Sequence, residues 1–278
     1  LVLVAIGIGI GYTLSQRMRQ DDPDVVRGPQ RTADRSPAVR LVTGQAQRIA
    51  DQAFHRQRPA RVGERAHLGG GIKAGATGGP VFIHHYGTGV LSINAPVKNV
   101  APTINTDLII AGTGVTRLLG SMAYLGTTAV LQSATLEFTN VGISGAGTLG
   151  LGINAPVIIA DGATLRFANA TAATYTLAGA TTANSHTFTL PGGNARIDVP
   201  TATVIFETSG AFSGAGGLTK SGAGTLQLRG AADFEGPLIV SAGKVLIPVT
   251  NIIGDTVPVT IATGAILEFA DSDTFGSL

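Results

Sequence analysis

The sequence predicts an all-β fold, a parallel β-solenoid, over residues 81–278. Three observations predict it: short motifs recur at irregular spacing, apolar stretches alternate with small-residue turns, and the composition suits strands and corners. Gly accounts for 39 residues, whereas aromatic residues make up 5% and charged residues 13% of the chain. Because Gly supplies turn conformations and Thr, Val and Ile fill pleated surfaces, many short strands are expected.

The first motif is Gly-x3-aromatic-x-Gly. Its two copies are Gly120…Tyr124…Gly126 and Gly230…Phe234…Gly236. Each copy is followed by an apolar stretch, a small-residue turn and another apolar stretch. We predict that the aromatic residue packs in the core and that the glycines lie at tight corners.

The second motif, V-x-I-A-x-G-A-x-L-x-F, spans residues 157–167 and 259–269. Alternate residues should face inward on both sides of a turn at Asp161-Gly162. In a solenoid, like residues stack on like at about 4.8 Å, so Phe138, Phe167 and Phe269 are expected to form one column. About ten coils of roughly 20 residues would make a rod on the order of 45 Å long.

A third motif, Ser-Gly-Ala-Gly-x-Leu, begins at Ser144, Ser213 and Ser221. The first copy also fits the G-x-G-x-x-G pattern of dinucleotide sites. No βαβ context follows it, and the same motif occurs three times, so we interpret it as a corner element.

Residues 213–245 resemble the passenger-associated repeat of bacterial autotransporters. They contain SGAGGLTKSGAGTLQL, then Gly230…Phe234…Gly236, then VSAGKV, against the family pattern GxGGLTKxGxGTLxLxGxNxYxGxTxVxxGxL. The match is close over 212–247, looser over 111–138 and generic over the rest of 90–278. The resemblance implies a right-handed parallel β-helix in a secreted or surface-displayed bacterial protein, often an adhesin or a structural stalk.

Residues 1–16 form an apolar segment that begins LVLVAIGIGIGYTL. This stretch of 14 apolar and uncharged residues is shorter than the roughly 20 residues that a helix needs to span a bilayer. Three interpretations remain open: the end of a membrane helix, which the fold prediction adopts, the remains of a signal peptide, or a buried strand or helix. Arg17 and Arg19 follow directly, and such charges favour the cytoplasmic side of a membrane.

Residues 17–67 are predicted to be an extended Arg-rich linker, with a short amphipathic helix at about 44–57 and a Gly-rich boundary at 68–80. Residues 1–67 hold 11 Arg and 6 acidic residues, whereas the rest of the chain is net negative. Protein partners are expected here, or an anionic membrane surface, but not nucleic acid, because the Arg lack an aromatic platform. The candidate docking residues are Arg17, Arg19, Arg48, Phe54 and Arg56.

No residue set indicates catalysis. The chain has no Cys, and His84 and His85 should point to opposite faces of a strand, so neither a metal nor a cofactor is expected. A carbohydrate-active enzyme would need acids clustered on one face. The acids of the repeat region are instead scattered, mostly at solvent-facing or turn positions: Glu137, Asp161, Asp198, Glu207, Asp233, Glu235 and Glu268.

We therefore expect a non-enzymatic structural or interaction protein of the bacterial cell envelope, without a small-molecule substrate. The first hypothesis is a surface-displayed or exported passenger of adhesin type. The second is a membrane-anchored structural subunit, in which residues 1–14 lie in the bilayer and the solenoid braces a larger complex. A carbohydrate-active β-helix enzyme is the third.

Overall fold

The computed structural model describes residues 71–75, 77–120, 122–139, 156–177, 186–249, 252–254 and 256–270, and the backbone alone of 2–6, 39–42 and 65–66. Within these ranges every regular element is a strand, and no helix suited to crossing a membrane occurs. Strands wind around one interior and pair in parallel with the strands of neighbouring coils. The predicted all-β parallel solenoid is confirmed.

Three strands precede the coils: β1 (Val2–Ile6), β2 (Val39–Val42) and β3 (Arg65–Ala66). Coil 1 contains β4 (Gly79–His85), β5 (Val90–Ile93) and β6 (Val97–Lys98). Coil 2 contains β7 (Thr106–Ala111), β8 (Val115–Leu118) and β9 (Met122–Ala123). Coil 3 contains β10 (Thr128–Val130) and β11 (Thr135–Phe138). Residues 140–155, which follow it, lie outside the described residues.

Coil 4 contains β12 (Val157–Ile159), β13 (Thr164–Phe167) and β14 (Thr174–Leu177). Coil 5 contains β15 (Phe188–Thr189), β16 (Asn194–Asp198) and β17 (Ile205–Thr208). Coil 6 contains β18 (Phe212–Gly214), β19 (Gly217–Ser221) and β20 (Thr225–Leu228). Coil 7 contains β21 (Ala232–Phe234), β22 (Leu238–Val240) and β23 (Lys244–Ile247), and a partial eighth coil contains β24 (Val259–Ile261) and β25 (Ile266–Phe269).

The coils build three sides. Sheet A takes the first strand of each of coils 1 to 7, and sheet B takes the strand that follows it, from β5 to β24. The third side consists of sheet C (β6 and β9) and sheet D (β14, β17, β20, β23 and β25). In most strands alternate residues are buried, so the core runs along the interior between the three sides. Every residue of β19 and β20 is buried, and no residue of β25 is.

At its N-terminal edge, sheet A continues into β1, which pairs antiparallel with β4, and then into β2. Residues 2–6 of the predicted apolar segment are therefore a strand. The remainder of 1–16, the predicted helix at 44–57 and nearly all of the Arg-rich linker lie outside the described residues.

The stacking of like residues is confirmed in part. Phe188 and Phe212 are register partners in sheet A, with ring centroids 4.3 Å apart and planes only 6° apart. Phe138 and Phe167 are partners in sheet B at 5.3 Å. Phe269, however, lies on sheet D and pairs with Ile247, so the predicted three-phenylalanine column is wrong in that member.

The reason is that the sequence motifs mark corners and not particular sides. Residues 157–167 run from sheet A to sheet B, whereas their repeat at 259–269 runs from sheet B to sheet D. The Ser-Gly-Ala-Gly element shows the same shift: from Ser213 it joins sheets A and B, and from Ser221 it joins sheets B and D. A motif can therefore recur one side further along the coil.

The predicted coil length holds only in parts of the chain. Glu207 and Gln227, register partners in sheet D, are separated by 20 residues, as predicted. In contrast, Arg166 and Asp198, register partners in sheet B, are separated by 32 residues. Because some coils carry such longer connections, the described residues build seven coils and a partial eighth, fewer than the ten expected.

Candidate functional site

The residues of the first repeat motif belong to the interior and its corners, as predicted. Tyr124 is fully buried and Phe234 is 2% exposed. The hydroxyl of Tyr124 shares a 2.6 Å hydrogen bond with Thr128 Oγ1, which satisfies its polar end inside the core. A Cβ on Gly120 would lie 2.5 Å from the Ala95 carbonyl oxygen, and a Cβ on Gly230 would lie 2.3 Å from that of Gly210.

The glycines at 126 and 236 follow the same rule: a Cβ on Gly126 would lie 2.4 Å from the Thr106 carbonyl oxygen, and a Cβ on Gly236 would lie 2.4 Å from the Gly217 backbone nitrogen. The motif is therefore a structural device. The docking candidates Arg17, Arg19, Arg48, Phe54 and Arg56 lie outside the described residues, and their role stays a prediction.

The outer side of sheet B carries a line of alternating charges. Register places Arg117, Glu137, Arg166 and Asp198 side by side on β8, β11, β13 and β16. Arg117 pairs with Glu137, and Arg166 Nε lies 2.7 Å from Asp198 Oδ2. Arg166 also reaches Glu137 Oε2 at 3.6 Å. We call these four residues the charge ladder.

The acids of the charge ladder are more deeply buried than its arginines. Side-chain exposure is 4% for Glu137 and 12% for Asp198, against 37% for Arg117 and 34% for Arg166. Sequence analysis described the acids as scattered, mostly at solvent-facing or turn positions, and did not predict the burial of Glu137 and Asp198. The four residues become neighbours because each lies one coil away from the next. To find them from the sequence, the number of residues in each coil would have to be known, and this depends on the lengths of the loops.

Glu207 is the centre of a second polar cluster, on the outer side of sheet D. Its Oε1 accepts a hydrogen bond from Thr176 Oγ1 at 3.1 Å, and its Oε2 accepts from Gln227 at 2.5 Å and from Arg229 at 2.7 Å. The carboxylate is therefore already occupied by hydrogen-bond donors from neighbouring coils.

Lys220 is a fully buried lysine at the corner between sheets B and D. It occupies a core row between Ile197 and Val240. Its Nζ donates to the carbonyl oxygens of Ser221, Gly222 and Ala242 at 2.7, 2.8 and 3.2 Å. Burial lowers the pKa of Lys220 to about 8, and the charge of Asp198 opposes this shift. Sequence analysis did not single out this residue.

His84 and His85 point to opposite sides of β4, as predicted. His85 is 3% exposed, and its Nδ1 donates to the Val115 carbonyl oxygen at 3.0 Å. Burial lowers the pKa of His85. Within the part of the chain that the structure describes, no group of three or more His, Asp or Glu side chains is arranged to hold a metal ion.

The remaining acids named by sequence analysis have separate positions. Asp161 Oδ1 accepts the backbone N–H of Asn194 at 2.8 Å, so it fixes a corner of the next coil. Asp233 and Glu235 are exposed on either side of the buried Phe234. Glu268 pairs with Lys244 at 2.9 Å.

The fold and these surfaces define the class of the protein: a parallel β-solenoid whose interior and corners are built from recurring sequence motifs. The chain is similar to the protein named Adhesin BmaC autotransporter of Brucella suis biovar 1 (strain 1330), with 37% identity over 134 residues. That match covers 48% of this chain and 4% of the relative, so the chain corresponds to a small part of that protein's length. The resemblance to autotransporter passengers is confirmed.

No protein-family model matches the chain. No solved structure matches it either.

Proposed function

We propose that this chain is part of a surface-displayed or exported passenger of adhesin type, a right-handed β-solenoid that acts by presenting surface and not by catalysis. One observation carries the proposal: the similarity to a protein named as an autotransporter adhesin, found in a chain that independently folds into stacked parallel coils. Its partners would be proteins or surface components outside the cell, and its location the bacterial cell envelope.

The state of the acidic residues supports a non-enzymatic function. Hydrolysis of a glycosidic bond requires two carboxyl groups that flank one bond, one of them free to donate a proton. Three of these carboxylates are instead already held by hydrogen bonds or ion pairs to side chains of neighbouring coils: Glu137, Asp198 and Glu207. These carboxylates hold the coils in register.

Surface labelling tests the display proposal. Intact cells that express the natural protein are treated with a membrane-impermeant amine reagent, and the labelled peptides are identified by mass spectrometry. We expect Lys98 and Lys244, whose side chains reach solvent, to be labelled and the buried Lys220 to be labelled only after denaturation. Recovery of unlabelled protein from the cytoplasm of intact cells would contradict the proposal.

Adhesion itself needs a separate assay. Beads coated with the purified chain are expected to attach to host cells or to a matrix, whereas beads coated with heat-denatured chain are not. Equal attachment of both preparations would show that the folded surface is not responsible.

The second candidate, a membrane-anchored subunit that braces a larger complex, is favoured by the 11 Arg of residues 1–67. In that case the docking residues Arg17, Arg19, Arg48, Phe54 and Arg56 would contact the partner. A chain that begins at residue 68 should then lose co-purifying proteins that the full chain retains. Retention of the same proteins by both chains would exclude docking through this region.

A further inference from the structure

The outer side of β4 presents Phe82 and His84, and Tyr86 follows directly after the strand; we call these three side chains the aromatic stripe. The ring centroids of Phe82 and His84 are 6.1 Å apart, and those of His84 and Tyr86 are 6.4 Å apart. The planes of the neighbouring rings differ by only 19° and 18°. The three rings are thus presented with nearly the same orientation.

The stripe faces solvent, because the alternate residues Val81, Ile83 and His85 fill the interior. Phe82 and His84 are half-buried, and Tyr86 is 58% exposed. These rings add nothing to the core of the solenoid. A set of exposed aromatic side chains with a common orientation indicates a surface that meets a ligand.

The sheet surface on the β7 side of the stripe is apolar. Phe82 is in register with Ile109, and the same outward column continues through Ala129 to Ile158. His84 is in register with Ala111. The neighbouring side chains in these columns are therefore small or β-branched.

Charge distinguishes this surface from the outer side of sheet B. On the β7 side of the stripe, the columns that contain Phe82 and His84 carry no Asp, Glu, Lys or Arg on β7, β10 and β12. On the opposite side, register places Arg40 of β2 in the column of His84, beyond Leu3 of β1. The charge ladder places four such residues on sheet B. An ion bound on the β7 side of the stripe would lose its hydration without gaining an opposite charge, so this side fits an uncharged ligand.

The corner next to Tyr86 supplies hydrogen-bonding groups without charge. Between sheets A and B, coil 1 exposes Thr88, coil 2 exposes Thr113, and coil 3 exposes Gln132 and Ser133. These side chains recur at the coil spacing of about 4.8 Å. They offer both donors and acceptors to a ligand that carries many hydroxyl groups.

From these features we propose that the aromatic stripe and its hydroxyl-bearing corner bind an uncharged polysaccharide. One face of a pyranose ring presents only C–H bonds and packs on an aromatic face, while the hydroxyl groups at its edge reach the corner. The inference rests on the proposed function, because it supplies the ligand class of the adhesin surface. It requires no chemical step.

The test uses the full chain with three neutral hexasaccharides, cellohexaose, maltohexaose and chitohexaose, and a heparin hexasaccharide for comparison. Binding is measured by calorimetry and by tyrosine fluorescence, which is informative because the chain has no Trp and four Tyr. We expect at least one neutral hexasaccharide to bind and the heparin probe not to compete with it.

Substitution then locates the site. Tyr86→Ala is expected to weaken binding of the neutral probe on the order of tenfold, and the double variant His84→Ala/Tyr86→Ala to abolish it. Leu125→Ala is the matched control, because Leu125 is also an exposed apolar side chain, at 42%, but lies on another corner. It should change affinity by less than about twofold. Unchanged circular dichroism and melting temperature verify that each variant is folded.

Three outcomes would overturn the inference: no binding of any neutral probe, equal affinity of the Tyr86→Ala variant, or preferential binding of heparin. If a purified protein with an apolar surface binds the chain and the neutral probes fail to displace it, the stripe is assigned to a protein partner instead. Failure here is distinguishable from failure of the proposed function, because surface labelling and bead adhesion are read without any saccharide.

Discussion

Coil 1 and coils 6 and 7 hold their corners in different ways. In coils 6 and 7, Lys220 donates three hydrogen bonds to carbonyl oxygens on two successive coils. In coil 1, His85 donates one, to Val115 of the next coil. The spacing differs as well, since the step from Phe212 to its register partner Ala232 is shorter than the step from Val81 to Leu108.

The difference shows how one solenoid combines regularity with variation. Each coil contacts only its neighbours, so its stability depends on local packing and on the interfaces above and below it. The short coils match the repeat pattern most closely and bury an amine at their corner. Coil 1 departs from that pattern and carries the exposed aromatic stripe. Binding surfaces are expected on elements whose side chains are released from packing.

Removal of an aromatic ring from the core should have the largest effect on stability. Phe206 of coil 5 packs against Phe167 at 4.9 Å and against Phe138 at 5.8 Å, so it joins two sides of the interior. Phe206→Ala should lower the free energy of unfolding by about 3–5 kcal/mol, measured by urea denaturation. Tyr86→Ala in coil 1, where the ring is exposed, should change it by less than about 0.5 kcal/mol. Similar losses in both variants would mean that the stripe is part of the core.

The pH dependence of stability should identify Lys220. Its pKa is about 8 in the folded chain and 10.5 when exposed, so the unfolded state binds more protons between these values. Stability therefore rises as the pH rises from 8 to 10.5. With about 1.4 kcal/mol per pKa unit, the gain is roughly 3 kcal/mol.

Urea denaturation at pH 7.5, 9 and 10.5 measures this gain, and Lys220→Met should lack it. Lys244→Met, which removes a solvent-accessible lysine paired with Glu268, is the control and should retain it. An identical pH profile for the chain and its Lys220→Met variant would show that the amine titrates as in water.

The sequence predicted the solenoid because its local signals agree: alternating apolar residues, Gly corners and the stacked motifs all require short parallel strands. It also placed Tyr124 and Phe234 in the core correctly. It failed for Phe269, because a motif that marks a corner fits any of the three corners. Which side a strand joins depends on the lengths of all preceding loops, and that is a property of the whole chain.

The surfaces were harder to predict than the core. Glu137 and Arg166 lie far apart in the sequence and become neighbours only through the register of β11 and β13. Lys220 lies in register with the buried Ile197 and Val240, and a corner brings its three carbonyl partners together. The aromatic stripe was visible as alternating Phe82, His84 and Tyr86, but sequence analysis considered only whether the histidines bind metal.

Glycine substitution compares the corners directly. A Cβ on Gly230, between coils 6 and 7, would lie 2.3 Å from the Gly210 carbonyl oxygen, whereas a Cβ on Gly89 in coil 1 would meet nothing within 4 Å. Gly230→Ala should cost about 2 kcal/mol, because the coils must separate locally. Gly89→Ala should be neutral or add up to about 1 kcal/mol by restricting the unfolded chain. The melting temperatures of the two variants measure this difference in stability. A Gly230→Ala chain as stable as the unaltered chain would show that this corner is loosely packed.

The smallest effect is expected from acid in coil 1. Burial lowers the pKa of His85 below its ordinary 6.5, so the folded chain binds fewer protons than the unfolded chain once the pH falls under that value. Stability should therefore decrease as the pH falls below 6.5. His85→Gln keeps a hydrogen-bond donor for the Val115 carbonyl but cannot titrate, so its melting temperature should depend less on pH between 7.5 and 5. His84→Gln, which changes a half-buried ring of the same strand, should keep the pH dependence of the unaltered chain. If the His84→Gln variant loses the pH dependence of the melting temperature and the His85→Gln variant keeps it, the acid-sensitive group lies on the aromatic stripe and not at the corner.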